Sequence, residues 1–211
     1  MSGDYHRSRF TADPRREVLW RALWRFHFCR LIGPEDCVLD LGAGYGEFIN
    51  AVVARRRIAL DHWPGFTRHL APGIEAVVGG AVDLEFLEDD SIDFVLASNL
   101  FEHLTQTHLA TILARLRRKL KPTGSLTIIQ PNYRYAFREY FDDYTHKTVY
   151  SHISLADFLT ANGFLVVETR PRFLPLTLRS GLPVSPRLIQ VYLLSPIKPM
   201  AKQMLIRARP R

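Results

Sequence analysis

Short apolar runs alternate with amphipathic stretches along most of the chain. The runs at 38–41, 58–60, 76–78 and 94–97 contain few polar residues, which predicts strands buried on both faces of a parallel sheet. Helical spacing of apolar residues follows at 10–31, 47–55, 105–121 and 154–162, and further strands are predicted at 125–130, 164–168 and 202–208. Alternation of strands with helices predicts an α/β fold with a doubly wound sheet and helices on both faces.

Composition narrows the class of protein without naming a function. The chain has 211 residues, of which 47% are hydrophobic and 23% charged, so we predict a single soluble domain, 1–211. Two cysteines, Cys29 and Cys37, do not make a disulfide framework and favour the reducing cytosol. Residues 1–9 lack the apolar core of a signal peptide, and no apolar run is long enough for a membrane span. We therefore expect a cytoplasmic protein.

A glycine-rich turn follows the first strand. Gly42, Gly44 and Gly46 let the backbone turn tightly and approach a ligand where a Cβ would collide. A dinucleotide-binding turn would place its third glycine at position 47, where this chain has Glu47, whose carboxylate would repel a pyrophosphate. Asp40, just before the turn, suits an ammonium better than a phosphate.

The spacing Gly42-x-Gly44-x-Gly46 after Asp40 resembles motif I of the class I S-adenosylmethionine-dependent methyltransferases. The resemblance extends over about residues 35–170. It implies a Rossmann-like, mostly parallel seven-stranded sheet that ends in a reversed hairpin. It also implies S-adenosylmethionine as the cofactor and S-adenosylhomocysteine as the product, with the glycine turn cradling the amino-acid part of the cofactor.

Later motifs extend the resemblance. Asp61 lies at a strand end about 20 residues beyond Gly42, where the family carries its ribose-binding acid; Trp63 lies either against the adenine or in solvent. In the next loop Gly80 replaces the family's usual Asp, so the adenine contact must come from Ala81, Val82 or Asp83. The predicted cofactor-binding residues are Asp40, Gly42, Ala43, Gly44, Gly46, Asp61, His62, Ala81, Val82, Asp83, Ser98, Asn99 and Leu100.

The end of the fourth strand carries Asn99-x-x-Glu102-His103, which resembles motif IV of the small-molecule branch of the family. Nucleic-acid amino methyltransferases place Asn/Asp-Pro-Pro-aromatic here, and its absence disfavours a nucleic-acid acceptor. His103 is predicted one turn into a helix, which favours a structural or substrate-binding role over that of a base. His103 and His108 are too far apart on a helix face to share a metal, and there is no cysteine cluster, so we expect no metal site.

Residues 131–151 follow the last core strand, where the acceptor must meet the methyl group. The segment is rich in tyrosine and arginine, and we predict that Tyr133, Arg134 and Tyr144 bind the acceptor together with His103. An acceptor hydroxyl needs alignment and removal of its proton, and histidine is the natural base near neutral pH. We predict His146 as that base, oriented by Asp142 or, by preference, Asp143.

The two ends of the chain lie outside the range over which the resemblance extends. Residues 1–34 are predicted as an N-terminal helical lid with Tyr5, Arg7 and Arg9, residues 35–170 as the cofactor-binding core and 201–211 as the last strand. The connection 171–200 has a helix candidate at 186–194, and from residue 171 onward there are eight basic residues and no acidic one. Three roles are open for the connection 171–200. It contacts a membrane surface or a lipid-linked substrate, it caps the sheet edge, or it forms a homodimer interface.

Residues 47–50, the Asp-Asp-Tyr-Thr-His segment at 142–146 and the basic tail resemble bacterial family members associated with surface-glycan biosynthesis. This predicts O-methylation of a sugar hydroxyl on a nucleotide- or lipid-linked saccharide. Three alternatives remain at this stage: a quinone or other lipid-like acceptor, an RNA acceptor suggested by charge alone, and a catalytically inactive cofactor-binding module suggested by Gly80 and Glu85.

Overall fold

The computed structural model describes residues 13–176 and 184–211, which form a seven-stranded sheet with helices on both faces. The strands are β1 Cys37–Leu41, β2 Arg56–Asp61, β3 Glu75–Val78, β4 Ile92–Ser98, β5 Leu120–Pro131, β6 Phe164–Pro175 and β7 Ala201–Pro210. Their order is β3-β2-β1-β4-β5-β7-β6, with β7 antiparallel to β5 and β6 and the other pairs parallel. The predicted fold class, including the reversed hairpin, is confirmed.

Six helices cover the sheet, and several begin at side chains that cap them. They are α1 Pro14–Phe26, α2 Glu47–Ala51, α3 Gln106–Lys119, α4 Tyr133–Ala136, α5 His152–Ala161 and α6 Pro186–Leu194 among the described residues. Asp13 caps α1, with Pro14 at the first helical position. Thr105 caps α3, and Ser151 caps α5 with a reciprocal Ser154 contact.

The core lies in two layers, one on each face of the sheet. β1 is buried along its whole length, with Leu39 and Leu41 facing the apolar cluster that α3 and α5 complete. Val38 faces the opposite cluster, which contains Phe28, Phe48, Phe66 and Phe94. Burial on both faces explains the continuous apolar runs of the sequence. It also places the carboxyl end of β1, with its glycine turn, at the centre of one sheet edge.

Several local predictions differ from the structure. The strand predicted at 125–130 begins at Leu120, directly after the helix that ends at Lys119. The helix predicted at 47–55 ends at Ala51, because the chain must already turn into β2 at Arg56, whose guanidinium donates two 2.8 Å hydrogen bonds to Glu75 of β3. The first helix ends at Phe26 and is followed by a separate 3-10 turn, Phe28–Arg30. His103 lies on a 3-10 turn, Phe101–His103, ahead of α3, rather than inside a helix.

The C-terminal connection is partly strand and partly helix. β6 continues to Pro175, well beyond the predicted end at 168, and α6 occupies the predicted range 186–194. Tyr5, Arg7 and Arg9 lie outside the described residues, and so does the middle of the connection, 177–183. Within 13–176 and 184–211, no helix combines the length and apolarity needed to cross a bilayer.

Acid should destabilise this fold through His27, which lies between α1 and the 3-10 turn. Its ring packs on Phe28 and Phe173, with centroids 4.9 and 5.3 Å away. Burial, helped by the charge of Arg170, lowers the pKa of His27 from 6.5 to about 4. The unfolded chain therefore binds a proton that the folded chain excludes between pH 6.5 and 4, and stability falls as the pH falls through this window.

Between pH 7 and 4.5 the free energy of unfolding should fall by about 2–3 kcal/mol less in His27→Phe than in wild type. The figure follows from about 1.4 kcal/mol for each pH unit over which the proton is excluded. Urea unfolding at both pH values measures it, with His108→Ala, an exposed histidine on α3, as the control. An equal loss in wild type and His27→Phe would show that His27 does not set this pH dependence.

Candidate active site

The glycine turn at the carboxyl end of β1 is held tightly against its neighbours. Gly42, Gly44 and Gly46 have φ values of 78°, 57° and 70°, a region that side chains disfavour. A Cβ on Gly42 would also lie 3.1 Å from a methyl of Leu100, and one on Gly46 would lie 2.6 Å from a methyl of Leu70. The backbone conformation therefore favours glycine at Gly42 and Gly46, and a Cβ at either position would also have to push a leucine methyl aside.

Carboxylates surround this turn. Asp40 and Asp61 are buried, and Glu47 is half-buried at the start of α2. Burial raises the pKa of Asp40 well above its ordinary value, and the charges of Glu47 and Asp61 raise it further. A ligand that brings a positive charge relieves this repulsion, whereas a pyrophosphate would add to it. The three carboxylates thus fit a ligand with the ammonium and sulfonium charges of S-adenosylmethionine.

Asp61 supports the turn directly from the end of β2. Its Oδ2 accepts from the Gly44 N–H at 2.8 Å, and its Oδ1 accepts from the Trp63 N–H at 2.8 Å. Burial by itself would raise the pKa of Asp61, but hydrogen bonds from His62, Trp63 and Gly44 bring it below its ordinary value. The carboxylate is therefore ionised beside the glycine turn, as a ribose-binding acid must be.

The loop after β3 lies beside Asp61. The Gly79 N–H donates to the backbone carbonyl of Asp61 at 3.0 Å, and the Gly80 N–H donates to Asp83 Oδ2 at 2.8 Å. A Cβ on Gly80 would lie 3.1 Å from that same Asp83 oxygen. The carboxylate of Asp83 therefore occupies the space next to position 80, where the family's usual Asp is missing. Ala81 and Val82 lie between them, half-buried.

The end of β4 completes this side of the site. Asn99 adopts a positive φ of 49°, and its N–H donates to the Ile129 carbonyl at 2.8 Å. Its side-chain oxygen accepts from Gln203 Nε2 of β7 at 2.8 Å, and its amide nitrogen donates to Ser98 Oγ at 3.3 Å. The turn from Ser98 to Leu100 thereby brings Leu100 against Gly42. Trp63 packs edge-on against Tyr45, with centroids 5.2 Å apart.

The segment 140–148 folds back over the 3-10 turn Phe101–His103. The N–H groups of Lys147 and Thr148 donate to the backbone carbonyl of Glu102 at 2.8 and 3.1 Å. The rings of His103 and His146 then lie side by side, with centroids 4.9 Å apart. Two histidines that are 43 positions apart in the sequence thus meet at the carboxyl edge of the sheet.

The hydrogen bonds of the two rings select the same tautomer. His146 Nδ1 lies 2.5 Å from the Tyr140 carbonyl, so this nitrogen donates. Thr145 Oγ1 donates to Asp143 Oδ1 at 2.6 Å and can therefore only accept from His103 Nδ1, 2.9 Å away. In both rings Nδ1 carries the proton, and Nε2 carries the lone pair.

Glu102 lies against these rings and is fully buried. Among the described residues, neither of its carboxylate oxygens has a hydrogen-bond partner. Burial raises the pKa of Glu102 to about 8, with the charge of Asp143 adding to it, and burial lowers the pKa of His103 to about 4. The pKa of His146 is lowered as well, mainly by burial.

The structure brings together some of the predicted acceptor-side residues but not all of them. Tyr133 packs on Tyr140, whose ring in turn contacts His146 at 4.5 Å between centroids. Arg134 and Tyr144 are exposed, and no described hydrogen bond or ring contact joins either of them to the two histidines. Asp143 is linked through Thr145 to His103, and its charge partly offsets the lowering of the His146 pKa by burial, while the Tyr140 carbonyl holds His146 Nδ1. The orienting role of Asp143 toward His146 stays a prediction.

Three site features were missed at the sequence level. The motif Asn99-x-x-Glu102-His103 does not indicate the burial of Glu102, and local sequence does not indicate that the Thr145 hydroxyl and the Tyr140 carbonyl contact the two histidines. The short spacing Asp143-x-Thr145 was the one usable signal, since Asp and Thr two positions apart commonly hydrogen-bond in a turn.

Comparison with known proteins identifies the family. A family model described as a methyltransferase domain matches residues 39–128. The chain is 31% identical over 200 residues to a malonyl-[acyl-carrier protein] O-methyltransferase of Methylococcus capsulatus, covering 86% of this chain and 68% of that protein. The chain is an S-adenosylmethionine-dependent methyltransferase. This methyltransferase accordingly uses S-adenosylmethionine, as the glycine turn and its carboxylates lead one to expect.

Solved structures agree on the fold. An S-adenosylmethionine-dependent methyltransferase from Archaeoglobus fulgidus is 23% identical, with a TM-score of 0.69 and coverage of 98% of this chain and 97% of that one. A Haloferax volcanii methyltransferase solved with the activator Trm112 is 20% identical, also with a TM-score of 0.69, over 94% of this chain and 91% of that one.

Asp83→Ala should weaken binding of S-adenosylhomocysteine about threefold to tenfold, because one hydrogen-bonding carboxylate is lost next to the proposed adenine position. Calorimetric titration measures the affinity, with Asp157→Ala, an exposed aspartate on α5, as the matched control. Unchanged affinity in Asp83→Ala would remove this residue from the cofactor site.

Proposed function

We propose that this methyltransferase O-methylates a hydroxyl group, with His146 as the base and a sugar hydroxyl of a nucleotide- or lipid-linked saccharide as the acceptor. The observation that carries the proposal is the tautomer of His146. Its Nδ1 proton is held by the Tyr140 carbonyl, so the ring offers Nε2 as a proton acceptor.

The reaction explains why such a base is needed. A hydroxyl is weakly acidic, so its proton must leave as the oxygen attacks the methyl group of the cofactor. As the new O–C bond forms, the S–C bond of the sulfonium breaks, and the cofactor's sulfur loses its positive charge. The chain therefore needs to align the acceptor, exclude water and take one proton. A carboxylate acceptor, by contrast, is already ionised and needs no base.

The surroundings of His146 support a polar, ring-shaped acceptor. Tyr133 and Tyr140 form an aromatic wall beside it, while Thr145, Asp143 and His103 supply a hydrogen-bonded relay. Tyr140 is fully buried, so the half-buried Tyr133 is the ring of this pair that can face an acceptor. An aromatic ring next to polar groups suits sugars, which present apolar C–H faces and hydroxyl edges together.

The test begins with the cofactor and proceeds to acceptors. S-adenosylhomocysteine is titrated by calorimetry, and the enzyme is then incubated with S-adenosylmethionine and a panel of nucleotide sugars, lipid-linked saccharides, quinols and malonyl thioesters. Mass spectrometry of the products reports which class gains a methyl group. Methylation of malonyl thioesters alone would overturn the hydroxyl proposal and align this chain with its Methylococcus relative.

A lipid-like or lipid-linked acceptor is favoured by one surface. Leu188, Val191 and Leu194 of α6 are 52%, 65% and 71% exposed and share one helix face at a spacing of three residues. Ile197 and Met200, which follow α6 in the chain, are exposed as well, and the charged side chains from 171 onward are all basic. Co-sedimentation with anionic vesicles tests it, with Val191→Asp as the variant that should stay in the supernatant.

A further inference from the structure

The cluster formed by Glu102, His103 and His146 has the composition of a metal site. Each residue offers a ligand atom, and the three atoms lie within 4.8 Å of one another. Two neutral imidazoles and a carboxylate are donors that divalent transition metals favour. The cluster could not be read from the sequence, since the third member comes 43 positions after the second.

Glu102 is the independent indication that a ligand belongs here. The side chain is fully buried, and among residues 13–176 and 184–211 no donor reaches either carboxylate oxygen. A buried carboxyl without a partner is costly, and native proteins retain such groups when a ligand, water or ion satisfies them. The two histidine rings that border it carry their lone pairs on Nε2.

We propose that Glu102, His103 and His146 bind one divalent transition-metal ion of the Zn²⁺ class. The donor set is two nitrogens and one carboxylate, whereas Mg²⁺ and Ca²⁺ prefer oxygen ligands throughout. Three protein ligands leave a fourth position of a tetrahedral ion open. The expectation from sequence that there is no metal site is replaced by this proposal.

The surrounding hydrogen bonds fit the proposal. Histidine ligands usually donate their second ring N–H to a carbonyl or carboxylate, which fixes the ring and strengthens the metal bond. His146 has the Tyr140 carbonyl in this place, and His103 has Thr145, which donates in turn to Asp143. Both imidazoles are thus oriented before an ion arrives.

Metal binding has a consequence that rests on the proposed function. The lone pair of His146 that would accept the proton of a hydroxyl is the lone pair that would coordinate the ion. The ion and the proton therefore compete for one nitrogen, and we expect Zn²⁺ to inhibit methyl transfer in proportion to its occupancy of the site.

The experiment measures metal binding without cofactor or acceptor. Tag-free protein is stripped with a chelator and titrated with Zn²⁺ against a chromophoric competitor, and Co²⁺ is added separately to record ligand-field absorption. We expect one ion per chain. Glu102→Gln and His146→Ala should each weaken binding about 100-fold or more, Thr145→Val about 10- to 100-fold, and His108→Ala not at all.

Several outcomes would overturn the site. One is Zn²⁺ binding no tighter than the weak, adventitious binding of exposed histidines. The others are equal Zn²⁺ affinity in wild type and His146→Ala, and loss of Zn²⁺ binding in His108→Ala. Circular dichroism melts show which variants fold, and Thr145→Val retains every proposed ligand. If the protein binds Zn²⁺ but methylates no hydroxyl, the metal site is supported and the proposed function is overturned. Activation by Zn²⁺ would overturn the competition and the role of His146 as base.

Discussion

His146→Ala is expected to lower kcat for hydroxyl methylation about 100- to 10,000-fold while leaving the affinity for S-adenosylhomocysteine within twofold. The range is that of losing a positioned general base. The ring lies in the segment 140–148, which packs on the turn Phe101–His103, whereas the glycine turn and Asp61 belong to the ends of β1 and β2. The chemical step and cofactor binding should therefore separate.

The comparison requires a control and a defined metal content. His108→Ala removes an exposed histidine at the start of α3 and should keep full turnover. Assays run with a chelator present exclude any ion from His146, so that the loss reports the base alone. Full turnover in His146→Ala would eliminate it as the base. A loss of S-adenosylhomocysteine affinity would indicate that the loop, rather than the proton transfer, has been disturbed.

The parts of this fold that local sequence determines could be predicted. β1 is apolar because both of its faces are buried, the turn Gly42-x-Gly44-x-Gly46 shows in its residues, and α6 coincides with the predicted range 186–194. Each of these depends on neighbours in the chain. The position of Asp61 was predicted from its distance to Gly42, and it does lie against the turn, on the N–H of Gly44.

What could not be predicted depends on contacts between distant segments. The end of α2 at Ala51 is set by where β2 must begin, and no residue of α2 itself announces it. The position of the Asp83 carboxylate beside Gly80 is evident only from the 2.8 Å hydrogen bond that the Gly80 N–H donates to it. Likewise, Glu102, His103 and His146 form one cluster only because the segment 140–148 folds back across the carboxyl edge of the sheet.

Asp61→Ala and Asp40→Asn should weaken cofactor binding in different ways, because the two carboxylates are assigned to different ends of the ligand. Asp61 is assigned to the ribose, so Asp61→Ala should weaken both S-adenosylhomocysteine and 5′-methylthioadenosine, by about 10- to 100-fold. Asp40 is assigned to the amino-acid ammonium, which 5′-methylthioadenosine lacks. Asp40→Asn should thus weaken S-adenosylhomocysteine about 100-fold and leave 5′-methylthioadenosine nearly unchanged.

The two ligands make the assignments separable from simple damage to the turn. Asp61 also accepts the Gly44 N–H, so Asp61→Asn, which keeps one acceptor oxygen, distinguishes support of the turn from ribose binding. Asp157→Ala serves as the matched control on α5. If Asp40→Asn weakened both ligands equally, the buried carboxyl would be acting on the shape of the turn and not on the ammonium. Equal affinities for wild type and Asp61→Ala would remove the ribose contact, because the buried carboxylate next to Gly44 would then have no part in holding the ligand.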